Sequence, residues 1–260
     1  MKLLFVGDIV GRPGRYALTN ALGRLVDRHC VDLVIANGEN AAAGFGLTAE
    51  VAREIFDAGV DVITSGNHIW DKKEIYGYFE REPRLLRPAN YPPGLPGKGG
   101  TVFKTAGGIK IGVINLEGRV FMNNLDCPFR AADTLVEEIS QQAKIIFVDF
   151  HAETTSEKTC LGHYLDGRIS ALVGTHTHVQ TADERILPGG TAYLSDVGMT
   201  GSRDSCIGIS KEEAIERFLT QLPVRFEVAK KDPWLCAALV TIDEQSGRAQ
   251  AIERIQVAVD

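Results

Sequence analysis

The 260-residue sequence predicts an α/β fold, a layered α/β/β/α sandwich in which two sheets are flanked by helices. Three observations lead there. Short apolar runs alternate with helically spaced segments through the first part of the chain, as in an α/β layer. Most of these runs are continuously apolar rather than alternating, the pattern of interior strands covered on both faces. The last part changes character, with strand-like runs following one another. No low-complexity tract, repeat, charge block or strong boundary interrupts the chain, so a single domain over residues 1–260 is expected.

In order, the strand-like runs of the first part are Leu3–Val6, Leu33–Ala36, Val60–Thr64, Ile111–Ile114, Ile145–Phe150 and Ala171–Val173, each bounded by turn-forming or polar residues. Helical spacing fits Tyr16–Arg28, where Leu18, Leu22, Leu25 and Val26 share a side. It also fits Thr48–Ala58, with Thr48 as N-cap and Gly59 as the C-terminal stop. Further helices fit Ala132–Ala143, Ser156–Leu165 and Ser210–Gln221. The closing strands are expected at Thr191–Leu194, Val224–Val228, Leu235–Ile242 and Ala249–Val259, with a hairpin turn at Glu244–Gly247.

A hydrophobic fraction of 44% supplies an extended core. The net charge of −6 argues against a broad nucleic-acid footprint, so an anionic substrate must be captured locally. The 5 cysteines carry no CxxC pair, which favours reduced thiols over a disulfide framework. The opening MKLLFVGD is too briefly apolar for a signal peptide or a membrane span. A cytoplasmic protein without membrane association is expected, with a homo-oligomer as a further expectation.

The chemistry collects where the apolar runs end. Gly7-Asp8, Asn37-Gly38-Glu39-Asn40 and Ser65-Gly66-Asn67-His68 follow the first three runs, His151 follows Phe150, and Gly174-Thr175-His176-Thr177-His178 follows Val173. In open α/β sheets, loops at the carboxyl ends of strands converge on one crevice. His176 and His178, two apart, are expected on the same side of an extended segment. Asp8, Glu39, Asn40, Asn67, His151, His176 and His178 make a nitrogen and oxygen donor set suited to iron, manganese or zinc. That is too many ligands for one tetrahedral zinc, whereas two divalent ions sharing a carboxylate account for them. Such a centre is net positive and favours a phosphate ester.

Each piece alone has a plainer reading: Gly-Asp as a turn, Glu39-Asn40 as a backbone cap, Asn67-His68 as a hydrogen-bonded loop. Asp71 either orients His68 or caps a helix. Arg12 and Arg130 either contact phosphate or are solvated, His29 sits near a helix end, and His163 is structural. GDIVGRPG matches neither a dinucleotide fingerprint nor a P-loop.

GD, GNH and GTHTH in this order resemble the calcineurin-like metallophosphoesterases, whose pattern is DxH, GD, GNH, a lone His and GHxH. The chain departs from it where Asp8-Ile9-Val10 lacks the first histidine and where Gly38-Glu39-Asn40 replaces the usual aspartate. With those departures, GDIVGRPGR, NGENAAAGFGLT, SGNHIWDKKE, DFHAETTSEK and GTHTHVQTADE closely resemble the YmdB-like branch over nearly the whole length. The resemblance implies that Asp8, Asn40 and His178 bind one ion, that Asn67, His151 and His176 bind the other, and that Glu39 bridges. It implies iron as the first choice of metal. His68 would stay off the metals as proton donor while a metal-activated hydroxide attacks a small nucleotide phosphodiester, 2′,3′-cyclic nucleotides included. Transient RNA contact is compatible with this reading. The rivals are a phosphomonoesterase with the same centre and a non-catalytic, RNA-associated metal-binding scaffold.

Overall fold

A computed structural model describes residues 1–260. The chain runs β1 (Lys2–Val6), β2 (Asp8–Ile9), α1 (Gly11–His29), β3 (Leu33–Asn37), α2 (Ala49–Asp57), β4 (Val62–Thr64), α3 (Tyr76–Phe79), β5 (Gly100–Lys104), β6 (Lys110–Glu117) and α4 (Pro128–Ser140). It continues through β7 (Ile145–His151), α5 (Thr155–Leu165), β8 (Ala171–Thr175), β9 (Arg185–Ile186), β10 (Ala192–Leu194), β11 (Met199–Ser202), α6 (Lys211–Thr220), β12 (Pro233–Ile242) and β13 (Ala249–Ala258).

The strands form two sheets. One has the order β2-β11-β12-β1-β3-β4, with β13 paired to β12, and the other has the order β5-β6-β7-β8-β10-β9. Alternation along β1 explains the layering: Leu3 and Phe5 join the core between the sheets, while Leu4 and Val6 join the core under α1 and α2. Phe5 meets Phe147 of β7 across that inner layer, ring centroids 4.8 Å apart. A third cluster packs β6, β7 and β8 against α4 and α5. The expected α/β/β/α sandwich is therefore observed.

Several boundaries differ from the sequence reading. Helix α1 begins at Gly11, because Pro13 lies in the first turn, where a missing N–H breaks no intrahelical bond. Helix α4 likewise starts on Pro128. Residues 224–228 are not a strand: Val228 makes only an isolated bridge to Ile209, and the segment has no neighbour along which to build a ladder. The short strands β2, β5, β9 and β11 escaped the sequence reading, being too brief or too polar to show a period.

Parallel pairing of β1 with β3 and β3 with β4, and of β6, β7 and β8, brings the carboxyl ends of both sheets to one edge. Segment 195–198 closes against that edge from both sides. A Cβ on Gly7, after β1, would lie 1.9 Å from the Gly198 carbonyl oxygen, and one on Gly174, in β8, 1.9 Å from that of Ser195. Only glycine permits either approach. Gly174→Ala is expected to cost about 2 kcal/mol through backbone displacement, measured by chemical denaturation. A loss under about 0.5 kcal/mol, the range of neutral surface changes, would show that the two strand ends are not clamped by this segment.

Candidate metal centre

All seven sequence-predicted donors meet at the shared strand edge. Asp8 and Glu39 are fully or almost fully buried, as is His151. The His151 Nε2 lies 2.9 Å from Asn67 Oδ1, 3.0 Å from His176 Nδ1 and 3.2 Å from Glu39 Oε1. The His178 Nε2 lies 3.3 Å from Asn40 Nδ2 and 3.9 Å from Asp8 Oδ1. Two groups of potential metal-holding atoms result, Glu39 with His151 and His176, and Asp8 with Glu39 and His178, and Glu39 belongs to both.

The hydrogen bonds on the far side of each imidazole fix which nitrogen faces inward. Thr175 Oγ1 donates to Asp149 Oδ1 at 2.7 Å, so its free lone pair receives the His151 Nδ1–H at 2.9 Å. His178 Nδ1 donates to the Ile207 carbonyl at 2.9 Å, and His176 Nε2 is held 3.1 Å from Glu153 Oε2. His151 and His178 thus present Nε2 to the cleft and His176 presents Nδ1, an orientation of the kind that prepares metal-binding histidines.

Three acceptor atoms consequently converge on the single Nε2 of His151, more than one N–H can serve. Asp8 Oδ1 and Asn40 Oδ1 are buried without any partner. Unsatisfied acceptors at this depth are costly unless a cation takes their lone pairs. Donor atoms about 2.1 Å from an ion and at right angles lie about 3 Å apart, close to the separations around His151. The residues present therefore fit divalent metal.

The titration behaviour has the same cause. Burial disfavours a charged His151, but Glu39, Asp8 and Asp149 around it outweigh that and push it up to about 9. Burial likewise opposes ionisation of Glu39, yet the adjacent His151 holds the carboxyl down at about 2. His176 is pushed down to about 3 by burial and by the charge on His151, leaving a neutral ring with a free lone pair. The carboxylates hold a proton where a metal cation would displace one.

His68 lies at the cleft mouth, its Nδ1 2.9 Å from Asp71 Oδ2, its ring 5.1 Å from that of Phe45 and its backbone N–H donating to Glu39 Oε2 at 3.2 Å. Asp71 therefore orients His68, and no side-chain cap forms at the following turn. The cleft, about 340 Å³, is lined by His68, Glu39, Asn40, Glu153, His176 and His178 among others. Arg130 is exposed on α4 and, like His29 and His163, does not line the cleft, and Arg12 lines a neighbouring cavity.

The loop carrying His176 and His178 departs from the extended segment expected. Both histidines have positive φ, 97° and 65°. This conformation costs an L-residue about 1–3 kcal/mol and persists only where its surroundings impose it. Asp196 imposes it here: its Oδ2 accepts from Thr177 N–H at 3.1 Å and Thr177 Oγ1 at 2.7 Å, between the two histidines, and from buried Lys158 Nζ at 2.8 Å. Glu153, Asp149, Thr175, Lys158 and Asp196 were all missed from sequence. A charged residue inside the apolar run of β7 was the one available signal for Asp149.

Comparison with known proteins places the chain among relatives. Residues 4–255 match the model of a family described as YmdB-like protein. A 2′,3′-cyclic-nucleotide 2′-phosphodiesterase of Bacillus subtilis is 52% identical over 260 residues, covering 100% of this chain and 98% of the relative. The fold matches a crystal structure of a hypothetical protein from Thermus thermophilus with a TM-score of 0.93, at 46% identity over 99% of both chains. It matches that of a novel phosphatase from Mycoplasma pneumoniae with a TM-score of 0.92, at 34% identity over 99% of this chain and 93% of that one.

Lys158→Met leaves the Asp196 carboxylate buried and uncompensated, for an expected stability loss of about 3 kcal/mol. It also frees Thr177, so metal affinity should fall about tenfold or more, as when partners that orient ligands are removed. Thermal melts and Mn²⁺ titration of metal-stripped protein measure the two effects. The double variant Lys158→Met, Asp196→Asn should recover much of the stability but not the affinity. Unchanged affinity in folded Lys158→Met would show that the pair does not position the histidine loop.

Proposed function

The chain belongs to the YmdB-like family of metallophosphoesterases, and from that premise we propose that it is a dinuclear-metal phosphodiesterase acting on small nucleotide phosphodiesters, 2′,3′-cyclic nucleotides included, through one catalytic domain spanning residues 1–260. The single observation that carries this reading is the pair of overlapping donor groups sharing Glu39 beside an imidazole that is free of both. Asp8, Asn40 and His178 would hold one ion, Asn67, His151 and His176 the other, with Glu39 between them. Iron is the first choice, with manganese and zinc as alternatives. Two such ions, when bound, would supply a nucleophile at neutral pH and neutralise the phosphate oxygens.

The chain's own groups do the rest. In a 2′,3′-cyclic diester the incoming water oxygen joins phosphorus, the P–O2′ bond breaks, and the 2′-oxygen leaves needing a proton. His68 would deliver it: its Nδ1 is held by Asp71, which leaves Nε2 for the substrate. Phe45 at 5.1 Å packs edge-on against the ring and narrows its motion. The buried floor made by Glu39, Asp8 and His151 excludes bulk water from beneath the phosphate. A phosphomonoesterase would use the same donors; the relative's 2′,3′-cyclic-nucleotide activity favours the diester.

No helix is long and apolar enough to cross a membrane, and cytoplasmic residence is part of the same proposal.

Metal analysis of anaerobically prepared protein, followed by assays on a 2′,3′-cyclic nucleotide, a phosphodiester dye and a phosphomonoester, tests this reading. About two ions per chain and preference for the diesters are expected. Absence of both metal and turnover after reconstitution with Fe²⁺, Mn²⁺ or Zn²⁺ would instead favour a scaffold role. His68→Ala is expected to keep its metal but lose about 10²–10⁴-fold in kcat, most for poor leaving groups. Metal loss in that variant would make His68 a ligand rather than an acid.

A further inference from the structure

Beside the catalytic cleft lies a larger groove, about 720 Å³, bordered by Arg12, Tyr16, Arg225, Phe226 and Lys230. The two cavities adjoin along three chain segments. Val10 lines the cleft and Arg12 the groove; Gly44 lines the cleft and Ala43 the groove; Phe226 lines both. Gly44 and Val228 pack directly against each other between them: a Cβ on Gly44 would come within 2.6 Å of Val228 Cγ2. Phe226, shared by both, marks where the cleft and the groove meet.

The groove's chemistry is that of a single strand. Arg12, Arg225 and Lys230 are exposed, and none of them forms an ion pair. Glu227 and Asp260 share the groove, leaving a side-chain excess of one positive charge, which suits one or two phosphates rather than a duplex. Tyr16, 47% exposed, and Phe226, 41% exposed, offer ring faces for bases to stack on.

We infer that this groove binds the nucleotides on the 5′ side of the scissile group, so that the substrate class extends from cyclic mononucleotides to short oligoribonucleotides ending in a 2′,3′-cyclic phosphate. The inference rests on the phosphodiesterase reading. The 3′-terminal nucleotide occupies the cleft, the preceding phosphate meets Arg12 and Arg225, and the strand continues past Lys230. Opening of the terminal ring consumes one water, breaks P–O2′ and leaves a 3′-monoester on the oligonucleotide.

The test compares a cyclic mononucleotide with a tetraribonucleotide carrying the same 2′,3′-cyclic end, in wild-type protein and in the double variant Arg225→Glu, Lys230→Glu. In wild type the tetramer is expected to have the lower KM. The variant should raise the tetramer KM about tenfold while leaving kcat and mononucleotide turnover unchanged. Fluorescence anisotropy with a labelled tetramer ending in a 3′-phosphate reads binding without turnover. For two phosphate contacts Kd should rise about sevenfold between about 50 and 200 mM salt in wild type, and much less in the variant. Equal KM for mononucleotide and tetramer, or tetramer binding indifferent to the substitutions, would overturn the groove assignment. Failure of wild type to turn over either substrate while still binding the tetramer with this salt dependence would overturn the phosphodiesterase reading and leave the groove standing.

Discussion

The Asp196 carboxylate, 1% exposed, accepts hydrogen bonds from Lys158, from the backbone and hydroxyl of Thr177, and from the Gly198 N–H. These partners come from α5, from the loop after β8 and from its own segment, whose Gly198 carbonyl presses on Gly7 of the other sheet. One buried anion thus ties both sheets together where their carboxyl ends meet. The constraint is electrostatic before it is steric: neither charge of the Lys158–Asp196 pair can be left alone at this depth, so the pair fixes the geometry of everything attached to it. The left-handed backbone of His176 and His178 is the visible consequence. Two histidines that an extended strand end would also have put on one side reach the cleft here through positive-φ backbone around a pinned threonine.

A second constraint is the balance of charge beneath the cleft. Asp8, Glu39 and Asp149 are all buried, and burial pushes Asp149 up to about 7 while its bonds to Thr64 and Thr175 pull the other way. Burial disfavours negative charge on all of these carboxylates, so compensating positive charge comes either from His151 or from metal. This explains why the site is rigid in its hydrogen bonds yet incomplete in its partners: the outer faces of the three imidazoles are all engaged, while Asp8 Oδ1 and Asn40 Oδ1 among the donors have none. The division matches what a cation site requires, orientation from outside and lone pairs inside.

Much of this was legible in the sequence, and the reason is topological. Parallel strands put every loop that follows them on one edge, so reading the polar residues after each apolar run recovers the donor set without any knowledge of distance. Asp8, Glu39, Asn40, Asn67, His151, His176 and His178 were all read that way. What supports them was not legible, because Lys158 lies on the helical face of α5 and Asp196 after the short β10, positions where a charged residue reads as surface. Residues 224–228 were misread for the opposite reason. Alternation of Val224, Phe226 and Val228 has the period of a strand, but Val228 finds only an isolated bridge to Ile209, and Arg225, Phe226, Glu227 and Val228 all border the groove irrespective of that period.

That cavity bears on how an acidic protein handles an anionic substrate. With a net charge of −6, long-range attraction works against capture, and binding must rely on fields that act over a few ångströms. The cleft and the groove divide that task by depth. Metal beneath the cleft would neutralise the reacting phosphate in a region that excludes water, where electrostatic attraction is strong. The exposed Arg12, Arg225 and Lys230 act in high dielectric, where each contributes little and is easily screened. Selectivity along a strand would then come chiefly from the rings of Tyr16 and Phe226, whose stacking does not depend on charge. The chemistry would be set by the buried centre and the preferred length of the substrate by the groove, so that the two properties can change independently.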